Sequence, residues 1–101
     1  MTPHFVKDQV YTFKLNSGEE VIGKVTHEGN EWLMLATPLS VAPGPQGMGL
    51  VPSAFTVKRG ENIKLNIASI AMYAVTDDAI KDKYIEATTG IKLPEKQIVL
   101  G

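Results

Sequence analysis

Two histidines, one tryptophan and one glycine-rich segment are the residues on which chemistry could rest. No His-x-x-x-His spacing or His-Glu pairing of His4 or His27 supports a metal site. His4 lies in an N-terminal arm that reads as frayed, and His27 in a turn, where an imidazole is ordinarily solvated. The absence of cysteine excludes disulfides, thiolate nucleophiles and cysteine-based zinc sites together. Pro43-Gly44-Pro45-Gln46-Gly47-Met48-Gly49 has G-x-x-G-x-G spacing, which is neither the dinucleotide nor the P-loop pattern. Pro43 and Pro45 also lack the amide hydrogens that a phosphate cradle uses, so the segment reads as a flexible hairpin loop. Trp32 is the one large amphipathic anchor: it suits stacking on a base, and equally packing in a core or subunit contact. No catalytic residue, cofactor or metal ligand follows, and the chain reads as an assembling and binding module rather than an enzyme.

Charge narrows the partners. Ten Lys and Arg against 11 Asp and Glu leave a net charge of −1 over 101 residues. Proteins that hold nucleic acid through phosphates show a basic excess or patch. Here only Lys58-Arg59 is a basic pair, and it reads as a solvated hairpin tip. No segment approaches the ~20 apolar residues of a membrane span, and Met1 to Lys7 lack the apolar run of a signal peptide. A soluble, cytoplasmic protein with no membrane partner is expected.

The elements that would position these residues are mostly strands. Val10 to Leu15 alternates, with Tyr11, Phe13 and Leu15 on one face. Asn16 to Glu19 is a turn cluster. Glu20 to Thr26 is a second strand with Val21, Gly23 and Val25 inward, and Gly23 marks a bend or a close backbone approach. After the turn at His27 to Asn30, Glu31 to Val41 forms a third strand, with Leu33 and Leu35 on one face and Trp32 and Met34 on the other. Pro38 marks a bulge or an edge. Strand character resumes over Leu50 to Val57 after Pro52, then at Ile63 to Ile67 and Ile70 to Val75. Thr76 or Asp77 caps a helix over about 78–88, with Ile80, Tyr84 and Ala87 on one face and Gly90 as its stop. A short apolar run, Gln97 to Leu100, closes the tail. The division is an arm at 1–9, a barrel at 10–75, and a helix and tail at 76–101. The fold class is mostly β: a small, strongly bent five-stranded antiparallel (SH3-like) barrel with a C-terminal helix.

Leu15-Asn16-Ser17-Gly18-Glu19-Glu20-Val21-Ile22-Gly23-Lys24-Val25 resembles the first motif of the Sm/LSm family: Leu-x-x-Gly, an apolar residue, then x-Gly-x-apolar. Trp32 to Leu35 continues the match, and Leu65 to Tyr73 is similar to the second motif, with residues 43–60 as an insertion. The order of arm, barrel and C-terminal helix is also similar to the Sm-like proteins of tailed phages of marine cyanobacteria. The resemblance implies a homo-oligomeric ring in which the fourth barrel strand of one subunit pairs with the fifth of the next. It also implies single-stranded RNA as a partner, and for a phage protein the cytoplasm of a bacterial host.

The family's uridine pocket is altered here. Its Asp, aromatic and Asn set falls on the turn His27-Glu28-Gly29-Asn30-Glu31-Trp32, one residue shorter, with Trp32 where the Asn is expected. Its Ile-Arg-Gly aligns with Leu65-Asn66-Ile67, without the stacking arginine or the glycine. His27, Asn30, Trp32 and Asn66 remain as substitute RNA contacts. Two functions stand side by side: a ring associated with single-stranded RNA through a degenerate pocket, and a scaffold ring that binds protein partners without nucleic acid.

Overall fold

The computed structural model of the chain describes residues 4–58 and 60–90. The apolar run Gln97 to Leu100, and Arg59 of the basic pair, lie outside these residues. Six strands form one antiparallel sheet: β1 (Val10–Leu15), β2 (Glu20–Glu28), β3 (Trp32–Gly44), β4 (Gly47–Pro52), β5 (Asn62–Asn66) and β6 (Ile70–Val75). A 3-10 turn (Ile67–Ser69) joins β5 to β6, and one helix, α1 (Asp78–Thr89), follows. The pairing order is β4-β3-β2-β1-β6, with β5 also on β3. The N-terminal part of β3 pairs with β5, from Trp32↔Asn66 to Ala36↔Asn62. Its C-terminal part pairs with β4, from Leu39↔Pro52 to Gly44↔Gly47. Among the described residues no ladder joins β5 to β6.

Six strands replace the five expected, because the insertion forms a hairpin of its own. Proline-rich composition masked it. Pro43 and Pro52 sit in β3 and β4, each paired on one side only along that hairpin, where a missing amide hydrogen is tolerated. The strand therefore runs up to Pro52 instead of beginning after it. Gly47 takes a φ of +104° at the hairpin turn, a conformation that favours glycine.

The bulge expected near Pro38 is present one residue earlier. Ala36 opposes Lys24 and Leu39 opposes Ile22, so β3 has an extra residue there, and Thr37 has a φ of +43°. An extra residue reverses which side chains face each side. Leu33 and Leu35 point to the core before it, and Ser40 occupies that face after it, opposite Val21.

The core lies on both faces of the sheet. On one face Phe5, Tyr11, Phe13, Val25, Leu33 and Leu35 pack together. The arm thus contributes Phe5, whose ring meets Tyr11 edge-on at 5.1 Å. On the other face Val10, Ile22 and Leu39 are covered by Tyr84, with Ile80 and Ile85 beside it. Asp77 caps α1 by accepting from the amides of Ala79 and Ile80, and Gly90 ends it at a φ of +74°. Ala87, placed by spacing on the packed face, is exposed, and Ile85 takes that role. The crossing of α1 over the sheet centres its contact on Tyr84, so 80, 84 and 85 bury the apolar stripe.

Candidate functional site

The sequence singled out His27, Asn30, Trp32 and Asn66, and the sheet register places three of them on one surface. Met34 opposes His27 across β2 and β3 and Lys64 across β3 and β5, while Trp32 opposes Asn66. Directly opposed residues share a face, so His27, Trp32, Met34, Lys64 and Asn66 lie together on the side away from Leu33 and Leu35. The His27 and Trp32 rings stack at 5.8 Å with 17° between their planes. The Lys64 ammonium sits 4.8 Å from the Trp32 ring centroid, within cation–π range. Gly29 lies against the same indole: a Cβ there would come within 2.6 Å of it.

Trp32 is therefore packed by its own chain, and a base would have to displace His27 or Lys64 to stack on it. Asn66 is also engaged. Its side-chain oxygen accepts from the Ala68 amide at 2.9 Å, capping the 3-10 turn, and its backbone carbonyl accepts from the Ser69 hydroxyl at 2.6 Å. Asn30 stands apart, exposed in the turn and lining a groove beside β6 with His4, Phe5, Ile67, Met72 and Tyr73, of about 490 Å³.

Sequence reasoning missed Lys64 as part of this surface. The alternation Ile63-Lys64-Leu65-Asn66 gave its face, but only the pairing of β5 with β3 brings it to Trp32. The arm is also better anchored than its composition suggested. The Glu28 carboxylate accepts from the amides of His4 and Phe5, at 3.0 and 2.9 Å, and contacts His4 Nδ1 at 3.1 Å. Desolvation pushes the Glu28 carboxyl up, but these donors outweigh it and hold the group below its ordinary value.

The most distinctive surface is the free side of β6. Tyr73 opposes Phe13 and Val75 opposes Tyr11, so both point to the core face. Yet Tyr73 is 46% and Val75 60% exposed, while Phe13 and Tyr11 are buried. At the opposite end of the sheet, Ile63 and Leu65 of β5 oppose the core residues Leu35 and Leu33 and are half-buried. Two strands that each pair on one side thus carry core-facing apolar side chains that the chain itself does not fully cover.

Among the described residues no three His, Asp or Glu side chains gather as a metal-binding group, and no helix is long and apolar enough to cross a membrane. No protein-family model matches the chain, and no curated protein is significantly similar to it. What fold and site define together is a small antiparallel β domain with a C-terminal helix in which, among the described residues, β4, β5 and β6 each pair on one side only.

Proposed function

We propose that the chain is an Sm-like subunit whose bent sheet works as an open barrel and assembles head to tail into a closed homo-oligomeric ring. The free edge of β5 in one copy adds to the free edge of β6 in the next. The observation that carries this reading is the exposure of Tyr73 and Val75 on the core face of an unpaired strand. Unpaired edges invite strand addition, and a ring satisfies the β5 and β6 edges of every copy with one repeated contact. The spatial order β5-β3-β2-β1-β6 and the 3-10 turn between β5 and β6 suit the resemblance, with the β3–β4 hairpin as its insertion. The role is assembly and binding, not catalysis.

Single-stranded RNA association is the second reading. Lys64 favours it, supplying a cation beside Trp32 from two residues before the position of the family's arginine. The packed state of Trp32, the capping role of Asn66 and the net charge of −1 make that contact weak and leave the ring faces to protein partners. Phe55, 81% exposed after β4, offers such a partner an apolar anchor.

Native mass spectrometry at micromolar concentration tests the assembly. A single closed oligomer is expected, reduced to monomer by Val75→Glu with the circular dichroism spectrum retained. A wild-type protein that is only monomeric overturns it. Anisotropy of labelled oligo-uridine at near-physiological salt tests RNA: submicromolar, uridine-selective binding abolished by Asn66→Ala would mean that the family pocket is intact after all.

A further inference from the structure

We propose that the crevice between α1 and the bend of β2 and β3 binds a small amphipathic anion, an apolar body with one carboxylate or phosphate head. The crevice lies on the opposite face of the sheet from the Tyr73 and Val75 side chains, so it is independent of the ring.

Its floor follows from the register. Val10 opposes Lys24, and Lys24 opposes Ala36, so these three side chains form a row across β1, β2 and β3 on the face that α1 covers. Lys24 thus rises between two apolar neighbours. From above, α1 contributes Lys81 and Ile85, four residues apart and hence on one helix face. Together with Asp8 these residues line a cavity of about 350 Å³. That is near the lower end of the ~300–1,000 Å³ typical of small-molecule sites, which join an apolar lining to a few polar groups. It suits a small organic ion and not a polymer.

The charges select the ligand. Lys24 and Lys81 are both partly buried, and neither is in an ion pair with a described residue. Lys24 and Lys81 both line this cavity, and an anion bound there would take charge-assisted hydrogen bonds from them. Asp8, in the same lining, is in an ion pair with neither. Two cations against one carboxylate leave the lining net positive, which suits one anionic head. The apolar row of Val10, Ala36 and Ile85 then takes the body, and a bare inorganic anion leaves that row uncovered.

The test is calorimetric titration of the full chain with octanoate, phenyl phosphate, 1-octanol and inorganic phosphate. Octanoate or phenyl phosphate should bind at least about tenfold more tightly than octanol or inorganic phosphate, since charge-assisted bonds are at stake; whichever of the two wins identifies the head. The gain should vanish in a Lys24→Gln, Lys81→Gln double variant and survive Lys83→Gln. Octanol binding as well as octanoate, or anion binding unchanged in the double variant, would overturn the proposal. If the double variant does not fold, Asp8→Asn decides: removing the one carboxylate should tighten anion binding several-fold, and unchanged or weaker binding refutes the site. Native mass spectra of the same samples report the ring separately.

Discussion

The hydroxyl of Tyr84 donates to the backbone carbonyl of Ala36, tying the middle of α1 to the strand that bends at the next residue. The same oxygen accepts from the Lys24 amide at 3.2 Å. One side chain thus satisfies a donor on β2 and an acceptor on β3 where the two strands fall out of register. Unpaired, each of these backbone groups would carry a desolvation penalty. The helix therefore acts as a plug for the bulge as well as a cover for Val10, Ile22 and Leu39.

Tyr84→Phe keeps the ring and removes both hydrogen bonds. The expected loss is about 1–3 kcal/mol, the cost of leaving buried polar groups unsatisfied, read from urea unfolding. Burial raises the Tyr84 pKa above its ordinary 10.0, against a smaller opposing effect of the Lys24 amide. A group raised in the folded state contributes stability that is complete below the unfolded pKa and lost as pH rises through the folded one. Wild-type stability should therefore fall above about pH 10 more steeply than that of the phenylalanine variant. Parallel pH profiles would show that the hydroxyl is not buried as described.

Gly23 faces the core opposite Tyr11, and a Cβ placed on it would lie 3.2 Å from Cδ1 and 3.4 Å from Cβ of Leu35. Alanine requires Leu35 to yield by a few tenths of an ångström. Valine adds two further methyl groups against a side chain that is 1% exposed. Overpacking of this kind costs ~1–3 kcal/mol. Gly23→Val should lower the melting temperature clearly and Gly23→Ala only slightly; equal melting temperatures for the three proteins would mean that Leu35 has room to move.

Trp32 is the only tryptophan, so its fluorescence reports the stacking surface without interference. A Cβ at Gly29 would sit 2.6 Å from the indole, closer than real Cβ contacts come. Gly29→Ala should push the ring off His27 and Lys64, shifting its emission to the red with little change in far-ultraviolet circular dichroism. An unchanged spectrum would show that the turn gives way instead of the ring.

Much of this arrangement was legible in the residues. Period-2 alternation gave β1, β2 and the core faces of β3 and β5, and the Asp77 and Gly90 signals bounded α1. Local pattern could not give the hairpin around Pro43 and Pro52, because proline argues against a strand unless one edge is known to be free. Nor could it give the partners across the sheet. Lys64 meets Trp32 only because β5 returns to β3 after an excursion of residues 45–61. Glu28 reaches His4 and Phe5 only because the arm folds back over β2. The exposure of Tyr73 and Val75 is a property of the sheet's edges: β5 and β6 are neighbours in sequence, but local alternation does not show that they pair with β3 and β1 and not with each other.

Glu28 supplies the remaining prediction, because its carboxylate is what holds the arm. It accepts from two consecutive amides and from the His4 ring, and Phe5, beside those amides, packs on Tyr11, Phe13 and Tyr73. Desolvation raises the Glu28 pKa, the donors lower it further than that, and the net position is below the ordinary 4.5. A group depressed in the folded state contributes stability that is present above the unfolded pKa and lost as pH falls through the folded one. The clamp should therefore be intact at neutral pH and released in acid below about pH 4. Its contribution is modest, about 1 kcal/mol, since His4 is largely open to solvent and exposed pairs are screened. Glu28→Gln should be less stable than wild type near neutral pH, and the difference should close as pH falls through the lowered folded-state pKa of Glu28, below which both side chains are neutral. Protection of the Phe5 amide from exchange, relative to its intrinsic rate at each pH, should fall over the same acid range in the wild type. A stability difference that persists undiminished in acid would mean that the carboxylate charge plays no part, and no difference at any pH would mean that the arm is held by Phe5 packing alone.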